Sequence, residues 1–169
     1  TLAYDATSIP GTTARYDGNI NSMTWKNGNG IEKAYRYTYD PLGQLTSALY
    51  MEKSGSSWAS NASGKYDVSG LTYDLNGNLK SLRRNNSTGV ALHKLLYTYG
   101  SSNNGNAISR ITLNEKTSNL YAYDGNGNLV NDGRLGVSIQ YNELALPCKI
   151  KKGTKEVLYV YSANGEKLA

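Results

Sequence analysis

An all-β fold of tandem antiparallel hairpins follows from three features of the chain. A short pattern, Φ-x-Tyr-Asp-x-x-Gly-x-Leu with Φ either Tyr or Leu, recurs along its length. Apolar and polar residues alternate on the approach to each copy, the period of a strand with two unlike faces. Between copies stand clusters of Gly, Asn and Ser, and no segment carries a helical period of apolar residues.

The elements can be taken in order. The first copy, Arg15-Tyr16-Asp17-Gly18-Asn19-Ile20, is one residue short and leads into the return strand Asn21-Ser22-Met23-Thr24-Trp25. The second has the approach Tyr35-Arg36-Tyr37-Thr38-Tyr39, with three tyrosines on one face and Arg36 and Thr38 on the other. Asp40 then opens a type I turn, in which its carboxylate accepts a local backbone N–H. Pro41 takes the position that such a turn prefers for proline. Gly43 takes the left-handed position, and Leu45 begins the return strand, as expected of a hairpin with a G1 bulge. Tyr73-Asp74 with Gly77, and Tyr121-Ala122-Tyr123-Asp124 with Gly127, repeat this grammar closely. Tyr97-Thr98-Tyr99-Gly100, Ile139-Gln140-Tyr141-Asn142 and Tyr159-Val160-Tyr161 with Gly165 repeat it loosely. The anchoring tyrosines are therefore Tyr16, Tyr39, Tyr73, Tyr99, Tyr123, Tyr141 and Tyr161, one per hairpin. Seven hairpins make one repeat array over 1–169, and polar stretches at about 53–66 and 100–107 read as inserted surface loops.

Composition narrows the function classes. Fifteen Tyr and two Trp with no Phe favour half-wet faces over a dry core, because the phenol hydroxyl wants a partner. A single cysteine, Cys148, excludes an intrachain disulfide framework. No apolar run approaches the roughly 20 residues that span a bilayer, so no membrane span is expected. The formal charge of +5 is too small to assign a polyanionic partner. The chain opens at Thr1 without Met and is expected to be a processed protein or a piece of a longer one.

Each candidate site competes with the repeat for the same residues. Asp74-x-Asn76-x-Asn78 and Asp124-x-Asn126-x-Asn128 open like a calcium loop, but Leu79 and Leu129 stand where that loop needs glycine. A hairpin turn accounts for the same residues, so no metal is expected. Gly125-Asn126-Gly127 would cradle phosphate only ahead of a helix, and none follows. No other cofactor is expected either. His93, the one histidine, sits in an apolar strand pattern, and no pair of acids stands out for acid–base work. Lys149, Lys151, Lys152 and Lys155, like Arg83 and Arg84, read as solubilising edge charges rather than a nucleic-acid surface. Asn-x-Ser/Thr triplets begin at Asn61, Asn85 and Asn86 and matter only in a glycosylating pathway. The residues left as partner-facing aromatics are Tyr37, Tyr39, Tyr73, Tyr97, Tyr99, Tyr121, Tyr123, Tyr141, Tyr159 and Tyr161, while Asp17, Asp40, Asp74 and Asp124 with Gly43, Gly77, Gly127 and Gly165 are turn residues. No enzymatic activity is expected.

The repeated Tyr-Asp-x-x-Gly-x-Leu core, sharpest at Arg36–Thr46, Tyr123–Leu129, Ile139–Pro147 and Tyr161–Leu168, resembles the YD repeat of RHS proteins over nearly the whole chain. The opening Tyr16–Trp25 resembles a variant found in RHS proteins of the Bacteroides group. This resemblance implies a curved, spiralling sheet that forms part of a hollow shell. It also implies a secreted or cell-surface bacterial location, and a C-terminal toxin or effector of the parent protein as the enclosed partner. In relatives, YD repeats are associated with carbohydrate at cell surfaces, which makes a glycan-binding module the alternative. A glycan hydrolase or an autoprotease is a third, weaker reading. The self-cleaving segment that ends many such shells is absent, and Asp40-Pro41-Leu42-Gly43 only superficially resembles it. A cut edge of such a sheet is also expected to self-associate.

Overall fold

The computed structural model describes residues 1–60, 63–100 and 105–169. Among these, every regular element is a strand: β1 (Leu2–Ala3), β2 (Ser22–Trp25), β3 (Lys33–Tyr39), β4 (Leu45–Ser54), β5 (Ser57–Ser60), β6 (Val68–Tyr73), β7 (Leu79–Asn85), β8 (Ala91–Tyr99), β9 (Ile108–Leu113), β10 (Lys116–Tyr123), β11 (Leu129–Asp132), β12 (Val137–Tyr141), β13 (Pro147–Lys152) and β14 (Lys155–Leu158). Pairing follows chain order from β1 to β14, except that β5 lies off this path as a third partner of β4, beside β3 and β6. All assigned pairs are antiparallel, including β3–β4, β6–β7, β10–β11 and β12–β13. The fold is thus all-β, built of consecutive antiparallel hairpins. Packing divides the chain into two compact units, Thr1–Leu96 and Tyr97–Ala169.

The hairpins share one turn. In the first unit, Asp40 N–H donates to Gln44 O (2.9 Å) and Gly43 N–H donates to Asp40 O (3.0 Å). Asp74 repeats this with Asn78 and Gly77, and Asn86 with Val90 and Gly89. In the second unit the same pair of bonds closes the turns at Asp124, Asn142 and Ser162. The strand register slips by one residue just before the turn, between Thr38 and Tyr39, Thr72 and Tyr73, Ala122 and Tyr123, and Gln140 and Tyr141. This is a bulge that adds twist to each hairpin. The fourth residue of the turn holds a left-handed backbone, with φ of 77° at Gly43, 80° at Gly77, 84° at Gly127 and 83° at Gly165. Glycine adopts that conformation without a Cβ clash.

In the first unit the two faces of β2–β3–β4 differ. Ala34 and Met51 pair across β3–β4 and form the core with Ile9, against which Trp58 of β5 packs. The segment Tyr4–Arg15 brings Ile9 there. It is tied down by Asn21, whose buried amide group reaches the carbonyls of Tyr4 (2.7 Å), Ala6 (2.9 Å) and Thr13 (3.2 Å). A buried amide must find such partners, so Asn21 fixes the course of the segment. Arg36 adds a bond to Pro10 O (2.9 Å). Farther along the same face, hydroxyls pair across strands, Thr38 with Ser47 and Thr72 with Ser81, each at 2.6 Å.

The stretch 53–66, read from sequence as a surface loop, holds the β4–β5 hairpin and brings Trp58 onto the core. Residues 61 and 62 of that stretch lie outside the described residues, as do 101–104 of the second expected loop, which Gly100 N–H closes by donating to Ala107 O (2.8 Å).

Candidate binding surface

The turn aspartates are engaged locally. Asp40 Oδ1 accepts from the backbone N–H groups of Leu42 and Gln44, both at 2.9 Å. Asp74 accepts likewise from Asn76 (2.9 Å) and Asn78 (2.8 Å), and Asp124 from Asn126 (3.0 Å) and Asn128 (2.9 Å). In the last two, the Asn78 and Asn128 side-chain amides also donate to the other carboxylate oxygen at 3.0 Å. These bonds favour the charged form and hold the Asp74 and Asp124 carboxyls below the usual carboxylate range, the Asn78 and Asn128 amides contributing most. Asp17 is bonded by Arg15 and Asn19, and its pKa is lowered as well, mainly through Arg15. Among the described residues, no three His, Cys, Asp or Glu side chains converge as a metal site.

The ten tyrosines expected to face a partner, Tyr37, Tyr39, Tyr73, Tyr97, Tyr99, Tyr121, Tyr123, Tyr141, Tyr159 and Tyr161, are half-buried, whereas the anchoring Tyr16 is exposed. Four of the anchoring ones share a bond that the sequence does not display. In the first unit, Tyr39 donates its hydroxyl to Ile20 O (2.7 Å) and Tyr73 donates to Leu45 O (2.8 Å). In the second, Tyr141 donates to Leu129 O and Tyr161 to Pro147 O, both at 3.0 Å. The acceptor belongs each time to the residue that follows the preceding turn, the Leu position of the repeat. These four tyrosines each latch their hairpin to the one before it. Burial raises the pKa of Tyr73, and the Asp40 carboxylate of the preceding turn adds to this. Cations cover two of these ten rings: the Arg15 guanidinium lies 4.9 Å from the Tyr39 centroid, and Lys167 Nζ lies 3.9 Å from that of Tyr159.

A denser aromatic cluster lies on the β2–β3–β4 face opposite Ile9. Trp25 and Tyr35 stack at 5.6 Å, and Tyr35 and Tyr37 at 6.2 Å, with the rings 23° and 25° from parallel. Tyr50 meets Tyr35 edge-on at 5.7 Å and Tyr66 at 5.3 Å. Tyr50 is 4% exposed, and its hydroxyl donates to Glu52 Oε1 (2.8 Å), which also receives Lys65 Nζ (2.9 Å). Burial, followed by the adjacent Glu52 carboxylate, drives the Tyr50 phenol strongly upward. Tyr35 donates to Tyr66 O at 2.9 Å.

Of this cluster, the repeat pattern pointed only to Tyr37. Trp25, Tyr35, Tyr50 and Tyr66 fall outside the Tyr-Asp core, and cross-strand register brings them together: Met23 opposite Tyr35, Trp25 opposite Lys33, and Tyr35 opposite Tyr50. The turn at Asn86 also went unread, because its copy begins with Asn and lacks the tyrosine. The signal was present in Asn86-Ser87-Thr88-Gly89-Val90, which matches the turn half of the repeat. Compared with known protein families and with curated proteins, the chain matches none.

Proposed function

We propose that the chain is a non-enzymatic structural module of the RHS type, a stretch of β-shell in a secreted or cell-surface protein that encloses the C-terminal effector or toxin of its parent. The observation that carries this reading is the latch between hairpins, Tyr39 to Ile20, Tyr73 to Leu45, Tyr141 to Leu129 and Tyr161 to Pro147. A latch made with backbone carbonyls serves any side-chain context, as a repeated wall requires. The acids Asp40, Asp74 and Asp124 are committed to their own turns, which supports architecture over hydrolysis.

The alternative, a carbohydrate-binding module, would use tyrosine rings as sugar platforms. Trp25, Tyr35 and Tyr37 stack on one another, which takes up ring surface that a sugar platform would use. This weighs toward packing.

The test is protease challenge of the segment that follows the array in the parent protein, with and without the array. Protection by the array is expected. Equal cleavage of that segment in both forms, or a parent with no segment to enclose, would overturn the shell reading. A glycan array showing saturable binding that is lost in Tyr37→Ala would favour the alternative.

A further inference from the structure

Asparagine followed by glycine is the dipeptide most prone to lose its side-chain amide, because the glycine nitrogen can reach the asparagine Cγ unhindered. The chain holds six such pairs: Asn27-Gly28, Asn29-Gly30, Asn76-Gly77, Asn104-Gly105, Asn126-Gly127 and Asn164-Gly165. The repeat turn occupies the attacking nitrogen in three of them. Gly77 N–H donates to Asp74 O (3.0 Å), Gly127 N–H to Asp124 O (3.1 Å) and Gly165 N–H to Ser162 O (3.0 Å). Gly30 N–H likewise donates to Asn27 O (3.0 Å). Asn104 lies outside the described residues and takes no part in the comparison. Gly28 differs, since its N–H has no hydrogen-bond partner among the described residues. It sits in the exposed connection between β2 and β3, at φ 52°, with nothing within 4 Å of where a Cβ would stand.

We propose that Asn27 is a site of spontaneous deamidation and backbone isomerisation in the folded protein, and that the repeat turn protects Asn76, Asn126 and Asn164 from the same reaction. The Gly28 amide nitrogen gives up its proton and attacks Asn27 Cγ. A C–N bond forms, the side-chain nitrogen leaves as ammonia, and a succinimide ring results. Water then opens the ring. Attack at Cγ breaks the new bond and leaves an aspartate in a normal backbone. Attack at the backbone carbonyl leaves isoaspartate, with the chain running through Cγ and one carbon longer. Either product adds a negative charge to a loop that carries Lys26 and Glu32, and lowers the formal charge of +5 by one. The isoaspartate form also displaces the entry to β3 beside Trp25. The turn that specifies the fold thus doubles as chemical protection for the asparagines it contains.

The experiment incubates the intact chain at mildly alkaline pH and follows each asparagine by peptide mass spectrometry, with a parallel sample in concentrated urea. In the folded chain, acid at position 27 should accumulate several-fold faster than at 29, 76, 126 or 164, and in urea the five rates should converge. Isoelectric focusing gives a second readout, because Asn27→Gln should remove the first acidic band to appear. Conversion of Asn76, Asn126 or Asn164 at the rate of Asn27 in the folded chain would overturn the proposal. So would an Asn27 that persists while the denatured chain converts, or an unchanged first band in Asn27→Gln.

Discussion

The fifth turn of the common type offers a matched pair of substitutions. Where five turns place glycine at φ 77–84°, the turn at Asn142 places Ala145 at 58°. Both Ala145 and Gly127 are exposed, and no atom lies within 4 Å of a Cβ built at Gly127, so neither substitution changes packing. What remains is backbone strain against unfolded-chain entropy. Gly127→Ala forces a Cβ into a backbone at 84°, outside the small left-handed basin open to L-residues, at a cost of about 1–2 kcal/mol. The stiffer unfolded chain returns about 0.4–1 kcal/mol, leaving a net loss centred on about 0.8 kcal/mol. At Ala145 the turn has already rolled into that basin, so Ala145→Gly releases only about 1 kcal/mol of strain and gives back a similar entropy, for a net change within about 0.5 kcal/mol. Urea denaturation monitored by tyrosine fluorescence and by circular dichroism, with equal m-values required of the variants, measures both. Equal destabilisation by the two substitutions, or a neutral Gly127→Ala, would refute the claim that the turn's φ sets the residue.

Tyr73→Phe keeps the ring and removes the donor to Leu45 O, and should cost about 0.5–1.5 kcal/mol in the thermal midpoint, where Tyr16→Phe, at an 87% exposed tyrosine, should cost nothing measurable. Asp124→Ala should destabilise by about 1 kcal/mol, as loss of a side-chain acceptor for orphan backbone N–H groups does. Asp124→Asn should cost less, because Asn142 already makes the same two bonds, to Leu144 and Leu146 at 3.0 Å. Depressed carboxyls at Asp17, Asp74 and Asp124 mean that acid protonates the unfolded chain first. Their stabilisation is complete above the ordinary carboxylate pKa of 3.8 and is lost as pH falls through the lower folded values, which a pH series of melting curves will show as a decline confined to acid. Raised phenols at Tyr35, Tyr37, Tyr39, Tyr50, Tyr73 and Tyr121 act at the other end. Their contribution is complete below the ordinary value of 10 and is lost as pH rises through the folded values, so alkaline unfolding should track tyrosinate absorbance above that pH.

Fold class was readable from the chain because a hairpin's demands are local. The spacing from Tyr39 to Leu45 carries an aspartate, a left-handed glycine and a strand start, all within seven residues. Contacts between hairpins were not readable in the same way. The Tyr73 hydroxyl and its acceptor on Leu45 are 28 residues apart, and a carbonyl has no sequence signature. The same holds for Ile9 and Asn21, which order the segment before the first complete strand pair by contacts that depend on its path. As for the surface, alternation assigned Tyr35 and Tyr37 to one face, but only register could add Trp25 and Tyr50 to it.

The latch has a direction. Each tyrosine reaches back toward the amino terminus, to a carbonyl made earlier by 19 residues at Tyr39, 28 at Tyr73, 12 at Tyr141 and 14 at Tyr161. A hairpin emerging from the ribosome is therefore finished only by the one after it. At about 5–20 residues per second, the wait is about 0.6–6 seconds for each carbonyl. At these four positions assembly works as a ratchet, in which the later hairpin locks its predecessor.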